Sequence, residues 1–385
     1  MPVREEANDA ARHVAREVLA THAERWDASA AWPEEGIRAL LEAGLGGLVV
    51  PTEHGGMGLG LRGLLEVCAI LGEVDASTAL CFGMHCVGAA CIAAKPGGAS
   101  RDLLDEIVAG RHLTTLALSE PGTGAHFYLP ETSMSVTEDT TLYLVDGAKA
   151  FVTNGGHADS YVTSTVATEP DAPPGHFSMV VVDADTPGLK WGDPWSGWGM
   201  RGNASRTLVL DHASVPVRNR LGDEGDQIWY VFSVVAPYFL IAMSGTYLGI
   251  SIRAVDEATR HLKRRTYTHS GRRLAESDVL QHRLGSLWAE LSRTRQLCRW
   301  AADAGDSQSP DALPAVCSAK AEVARASVNI VNECMTLMGG TAYRDGSILH
   351  RLLRDARAAH VMSPTTDLLY TWVGRSQLDI PLLAE

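Results

Sequence analysis

Gly147-Ala148-Lys149-Ala150-Phe151-Val152-Thr153-Asn154-Gly155 reads as a strand running out into a turn. By period two, Phe151 and Thr153 fall on one face, and an aromatic beside a hydroxyl suits one side of a flat heteroaromatic ring. An ordinary strand with one core aromatic reads the same way. Upstream, Leu118-Ser119-Glu120-Pro121-Gly122-Thr123-Gly124 follows a short strand. Gly122 and Gly124 let backbone N–H groups approach an anion, and Ser119 and Thr123 add hydroxyls; a plain turn has the same composition. Further upstream, Gly55-Gly56-Met57-Gly58-Leu59-Gly60 has the glycines of a phosphate loop. It lacks the strand–loop–helix setting of the dinucleotide fingerprint and any following Walker lysine, so by itself it is a loop between helices. Downstream, residues 195–217 carry Gly199-Met200-Arg201-Gly202-Asn203, a strand, and Val215-Pro216.

Around these stretches the chain changes character twice. Before residue 112 it is helical: 7–25 places Val14, Val18 and Leu19 among charges, Pro33 opens a helix with Ile37, Leu40 and Leu41 on one face, and helical patterns resume at 61–71, 77–94 and 103–108. From 112 to 224 it alternates, with strands expected at 133–136, 141–145, 160–165, 177–182 and 207–210 and a tight turn at Asp146-Gly147. From 225 the apolar stripes are long, at 227–264, 278–305, 314–338 and 348–374, as in a helical bundle. The expected class is α+β with three parts: an α-helical domain (1–111), a β domain (112–224) and a C-terminal bundle (225–385).

The 385 residues are 45% apolar and 21% charged, a globular mixture, with a net charge of −13 that argues against nucleic acid. Seven cysteines, an odd number with no C-x-x-C pair, argue for reduced core thiols and against disulfides or zinc. The N-terminus is charged and amphipathic, without the apolar core of a secretory signal. The uncharged stretch 228–252 mimics a membrane span, but Pro237, Gly245 and Gly249 interrupt it; a buried helix bent at Pro237 is expected, in a cytoplasmic protein.

In this order the stretches resemble the acyl-CoA dehydrogenase superfamily over nearly the whole chain. The segment 50–58 resembles its P-x-x-x-G-G-x-G loop, 119–124 its T-E-P-x-A-G signature, and 149–155 its K-x-x-I-T-N-G strand. Met200-Arg201-Gly202 and Val215-Pro216 match as well, as do Gly339-Gly340-Thr341-Ala342-Tyr343 and Arg351-x-x-Arg354-Asp355-Ala356 near the end. The resemblance implies an FAD-dependent oxidoreductase with non-covalent FAD, a helical N-terminal domain, a central β-barrel or sandwich and a four-helix bundle. It implies that Ser119, Gly124, Phe151 and Thr153, with Gly340 and Thr365, contact the cofactor. It further implies that Arg264, Tyr267 and Gln281 reach the FAD of a neighbouring subunit, in a homodimer or homotetramer. The match is altered at Ala125-His126, where the family has Ser-Asp, at Thr336, where a Gln is usual, and in a longer loop between Tyr267 and Gln281.

The resemblance also implies a carboxylate that removes the substrate's α-proton while hydride leaves the β-carbon. One usual place, nine residues past Arg354, is Ser363; the other, ten before Gly249, is Phe239, followed by Leu240 where an Arg commonly helps hold CoA. Both base positions lack a carboxylate. Replacement candidates are Asp367, on the same face as Ser363 if one helix spans both, His126 at the end of the flavin loop, His85 in an apolar helix, and His360. Each has an ordinary reading: a helix start, a loop histidine and satisfied core or surface histidines. Two functions follow: an acyl thioester dehydrogenase acting on CoA or carrier-protein substrates, passing electrons to a partner, or an oxidase or monooxygenase whose reduced flavin meets oxygen. A non-catalytic flavin-binding scaffold is the third reading.

Overall fold

The computed structural model describes residues 2–169 and 171–383. Its N-terminal helix starts earlier and ends later than periodicity suggests. α1 (Pro2–Val14), a π turn (Ala15–Leu19) and α2 (Ala20–Ser29) form one run that buries Val14, Leu19 and Trp26. Pro33 stands at the N-cap of α3 (Glu34–Glu42), which buries Ile37 and Leu40. The glycine-rich loop closes on itself through Met57 N–H to Gly47 O (2.9 Å), Gly58 N–H to Val50 O (2.9 Å) and Leu59 N–H to Leu48 O (3.1 Å). Gly56 lies so close to Val50 that a Cβ there would meet its carbonyl at 2.1 Å, so the glycine serves packing and not a phosphate. α4 (Gly60–Gly72), α5 (Ala76–Ala94) and α6 (Ser100–Val108) complete this region. Asp75 caps α5 by accepting from the N–H and hydroxyl of Thr78 (2.8 and 2.6 Å).

The middle of the chain is two four-stranded sheets built from β1 (Thr114–Ala117), β2 (Ser133–Val136), β3 (Leu142–Val152), β4 (Ser160–Thr165), β5 (Ser178–Asp183), β6 (Leu189–Trp191), β7 (Arg206–Pro216) and β8 (Arg220–Leu221). Their orders are β1-β4-β5-β8 and β2-β3-β7-β6; β1 and β4 are parallel and every other pairing is antiparallel. The turn expected at Asp146-Gly147 is not there. β3 runs straight through the pair, with a register shift between Val145 and Gly147, because Thr132 packs so near Gly147 that a Cβ would meet its Cα at 2.9 Å. The glycine marks a bulge, not a hairpin.

The last part is helical: α7 (Gln227–Tyr230), a π turn (Val231–Val235), α8 (Ala236–Arg264), α9 (Asp278–Asp306), α10 (Ala312–Met338), α11 (Ile348–Val361) and α12 (Thr366–Gln377). The irregularity expected at Pro237 is this π turn, which ends as the proline, lacking an N–H, enters the first turn of α8. α8 packs against α4, α5, α9 and α10. It crosses α4 closely because Gly245 and Gly249 face Leu65 and Ala69, where Cβ atoms would meet carbonyl oxygens at 2.5 and 2.3 Å. α5 and the run Gln227–Arg264 have the length and apolarity of membrane spans, yet α5 is buried along all but its last residue and the second run mostly so. The single helix expected over 348–374 is two: Pro364 cannot continue one, and α11 stops at Val361.

Candidate active site

β3 and the segment before it are stitched together. Ala150 N–H donates to Ser119 O (2.7 Å), and Thr115 Oγ1 donates to Thr153 O (3.0 Å). Beneath the stitch lies a buried ion pair absent from the sequence reading, Lys149 with Glu120. Lys149 Nζ also donates to Ser164 O (2.6 Å). Glu120 further accepts from Glu131 N–H (2.7 Å) and from the Thr132 hydroxyl (2.8 Å) and N–H (3.2 Å). Burial alone would raise the Glu120 carboxyl; Lys149 and these hydrogen bonds outweigh it and hold it below the usual carboxylate range. Burial pulls Lys149 down to about 8 against the attraction of Glu120. One acid in the first stretch and one lysine in the second were the only sequence signal.

Both stretches open on a cavity of about 510 Å³, within the range of small-molecule sites. Ser119, Gly124, Ala125, Phe151 and Thr153 line one side, and Trp195, Met200, Asn203 and Ser205 another. Phe151 and Thr153 do share the cavity, but not by strand alternation: a register shift follows Lys149, and Thr153 lies in the turn beyond β3. Phe151 is held at φ 54°, 70% exposed, edge-on to Trp195. A bulky aromatic in the left-handed region, left uncovered beside a cavity, points to a ligand face. An added Cβ at Gly124 (φ +54°) would meet nothing within 4 Å, so its backbone faces open space.

The remaining wall comes from Val235, Ala236 and Phe239 of the α8 region and from Ala358, Val361, Met362, Ser363, Pro364 and Thr365. Both positions where the family resemblance expects a base thus face the cavity, and they carry a phenyl ring and a hydroxyl. Ser363 Oγ donates to Ala125 O (3.2 Å). Thr365 lines the cavity while its hydroxyl caps α12, accepting from Leu368 N–H (3.5 Å). Leu240 is buried and does not line it. Glu120, occupied as described, is the one ionisable side chain among the lining residues.

The proposed replacement bases do not reach the cavity. Asp367 is exposed in the first turn of α12; the helix break at 362–365 removes the i, i+4 relation to Ser363 on which it depended. His126 is exposed, in edge contact with Tyr128, while its neighbour Phe127 turns inward to the cavity. His85 is a fully buried core histidine: one ring nitrogen meets Gly46 O (3.0 Å) and the other accepts from Thr114 N–H (3.2 Å). Burial lowers its pKa to about 4, leaving the ring neutral. His360 is half-buried outside the lining. Arg264, Tyr267 and Gln281 also lie off the cavity. They are exposed at the end of α8, in the following hairpin-like loop and at the start of α9, and Gly340 is exposed after α10.

A charged knot joins the helical regions to the cavity wall. Met200 N–H donates to Asp355 Oδ1 (2.6 Å), holding Met200 at φ 51°. Arg354 pairs with Asp27 and donates to Trp198 O (2.8 Å); Arg201 Nε donates to Asp27 O (2.7 Å). Burial raises the Asp355 carboxyl to about 7, with Asp75 and Asp27 pushing the same way against Met200 N–H.

Comparison with known proteins agrees with this architecture. The chain matches the acyl-CoA dehydrogenase N-terminal domain over residues 2–111, the middle domain over 115–213 and the C-terminal domain over 239–378. It is 28% identical over 374 residues to bovine mitochondrial isobutyryl-CoA dehydrogenase, covering 94% of this chain and 85% of the relative. It is 28% identical over 375 residues to cyclohex-1-ene-1-carbonyl-CoA dehydrogenase of Geobacter metallireducens, covering 96% of each. The structure of butyryl-CoA dehydrogenase from Megasphaera elsdenii shares the fold, with a TM-score of 0.91, 22% identity and 98% of each chain covered. The chain belongs to the acyl-CoA dehydrogenase family, whose members are FAD-dependent oxidoreductases, and it is an oxidoreductase of that kind.

Proposed function

We propose that the chain binds FAD in this cavity and oxidises an acyl thioester, on CoA or a carrier protein, with no carboxylate serving as base. The supporting observation is that one cavity gathers the 119–125 loop, Phe151 and Thr153, and both base positions, Phe239 and Ser363. Ser119, Gly124, Phe151, Thr153 and Thr365 would hold the isoalloxazine, which supplies a hydride acceptor when bound. Phe127, Val235, Ala236, Phe239 and Met362 exclude water and receive an apolar acyl group. Ser363 is too weak a base to take an α-proton unaided, and its own proton is committed to Ala125 O. Glu120 is neutralised by Lys149 and saturated with donors.

The same vacancy favours a second reading, an oxidase or monooxygenase that needs no α-carbon base. Air reoxidation of the reduced holoenzyme, taken with an enoyl-CoA product bound, separates the two: a dehydrogenase holding its product resists oxygen, whereas an oxygenase consumes it quickly. Purified protein that takes up no FAD would sink both.

Arg264, Tyr267 and Gln281 would reach the FAD of a second subunit, as would Gly340. Their exposure away from the cavity fits that role. Tyr267 and, in α9, Val279, Trp288 and Trp300 are also exposed large apolar side chains that a second subunit would cover. All seven cysteines are free and buried, in keeping with a reducing compartment such as the cytoplasm.

A further inference from the structure

Lys320, in α10, is fully buried, and no carboxylate lies within ion-pair distance among the described residues. Its ammonium instead donates to three backbone carbonyls: Ala359 O (2.8 Å), Met362 O (3.1 Å) and Pro364 O (2.8 Å). An ammonium has three N–H donors, so every one is used. Two acceptors lie on either side of Ser363, at the position where the family resemblance expects a base. A buried cation without a counter-ion is costly, and an apolar side chain would pack here more cheaply. Capping the C-terminus of α11 accounts for Ala359 and Met362, whose carbonyls have no partner in the next turn. It does not account for Pro364, which lies beyond that helix. Three residues of the segment 362–365 are tied elsewhere: the Tyr247 hydroxyl donates to Met362 Sδ (3.1 Å), Ser363 to Ala125 O, and Thr365 caps α12.

We infer that Lys320 is a positioning residue: it clamps the 362–365 strap across the cavity and so fixes where Ser363 and Met362 stand against the substrate. The inference rests on the reading of the cavity as the flavin and acyl site. Its test is chosen so that clamp and cavity fail separately.

Hydrogen exchange by mass spectrometry on the FAD-loaded full chain reads the clamp. In the wild type, the peptide carrying the Met362 amide, which donates to Ala358 O (3.0 Å), should exchange about as slowly as the rest of α11. Lys320→Met should speed exchange there by about tenfold or more, leaving β3 and the flavin content unchanged. Lys320→Gln, which keeps two donors, should restore part of the protection. Equal loosening throughout the bundle, or an unchanged strap in Lys320→Met, would overturn the clamp. If Lys320→Met does not fold, Lys320→Gln decides by the same amide, and fast exchange of the Met362 amide in the wild type would refute the clamp without any variant. Octanoyl-CoA, followed through its perturbation of the flavin band, reads the cavity. Lys320→Met should weaken this binding about tenfold without loss of flavin, and unchanged binding would overturn the positioning role. A wild-type band that octanoyl-CoA leaves unmoved would count against the acyl-thioester reading, while exchange still decides the clamp.

Discussion

The two walls of the cavity are built on different chemistry. The wall formed by 119–125 and β3 rests on a buried ion pair and keeps Ser119, Gly124 and Phe151, with Thr153 just beyond the strand, for which the resemblance implies flavin contact. The wall formed by α8 and the 362–365 strap is apolar, held by a lysine on backbone carbonyls, and offers Phe239 and Ser363 where the family resemblance expects a base. If the first wall holds the flavin, cofactor binding and proton removal draw largely on side chains from different elements, with Thr365 of the strap shared. One can be lost while packing and the other persist.

The ion pair is where the first wall breaks most severely. Glu120→Gln or Lys149→Met leaves one buried charge uncompensated and should cost about 3–5 kcal/mol. The expected result is a large fall in the urea midpoint together with loss of bound flavin; a variant as stable as wild type would show that the wall does not depend on the pair. Arg264→Ala should leave that wall intact yet weaken FAD binding by about 1.5–3 kcal/mol if the arginine reaches a phosphate. Flavin-fluorescence titration measures this, and a strictly monomeric holoenzyme at low concentration would contradict a contribution from a second subunit.

Asp355 sharpens the comparison by pH. Its folded pKa of about 7 lies above the ordinary 3.8, so between those values the folded chain holds a proton that the unfolded chain has released. Stability should therefore fall as pH rises from about 4 to 7, by up to about 1.4 kcal/mol per unit from this group. Asp355→Asn keeps an acceptor for Met200 N–H and should flatten that slope in urea titrations at stepped pH. The smallest effect is expected at His126: its replacement by Ala should change stability by no more than about 0.5 kcal/mol and leave flavin reduction unaltered. A marked slowing of reduction would return it to the site.

The sequence carried the order of helices, sheets and helices, and the stretches that meet at the cavity, because periodicity and glycine placement are local signals. Counting from Arg354 and Gly249, as the family resemblance implies, led to Ser363 and Phe239, and both line the cavity. What the sequence hid depends on contacts far apart in the chain. The Glu120–Lys149 pair joins residues of separate stretches. Lys320 reads as one polar residue in an Ala-rich helix until its three acceptors are seen. Asp367 shares a face with Ser363 only on an unbroken helix, which Pro364 prevents, and the strand pattern at Phe151 gave no sign of the bulge that exposes its ring.

The central claim is that the cavity holds FAD and lacks a base. Phenylacetyl-CoA isolates that question, since its α-proton is acidic and its β-carbon has no hydrogen to give to flavin. Incubated in D2O with the oxidised holoenzyme, it should gain α-deuterium no faster than without enzyme. Ser363→Glu, which places a carboxylate on the strap, should accelerate the exchange, with about 10²–10⁴-fold as the span of a positioned base. Wild-type exchange as fast as that of Ser363→Glu would contradict the account and show that another group takes the proton.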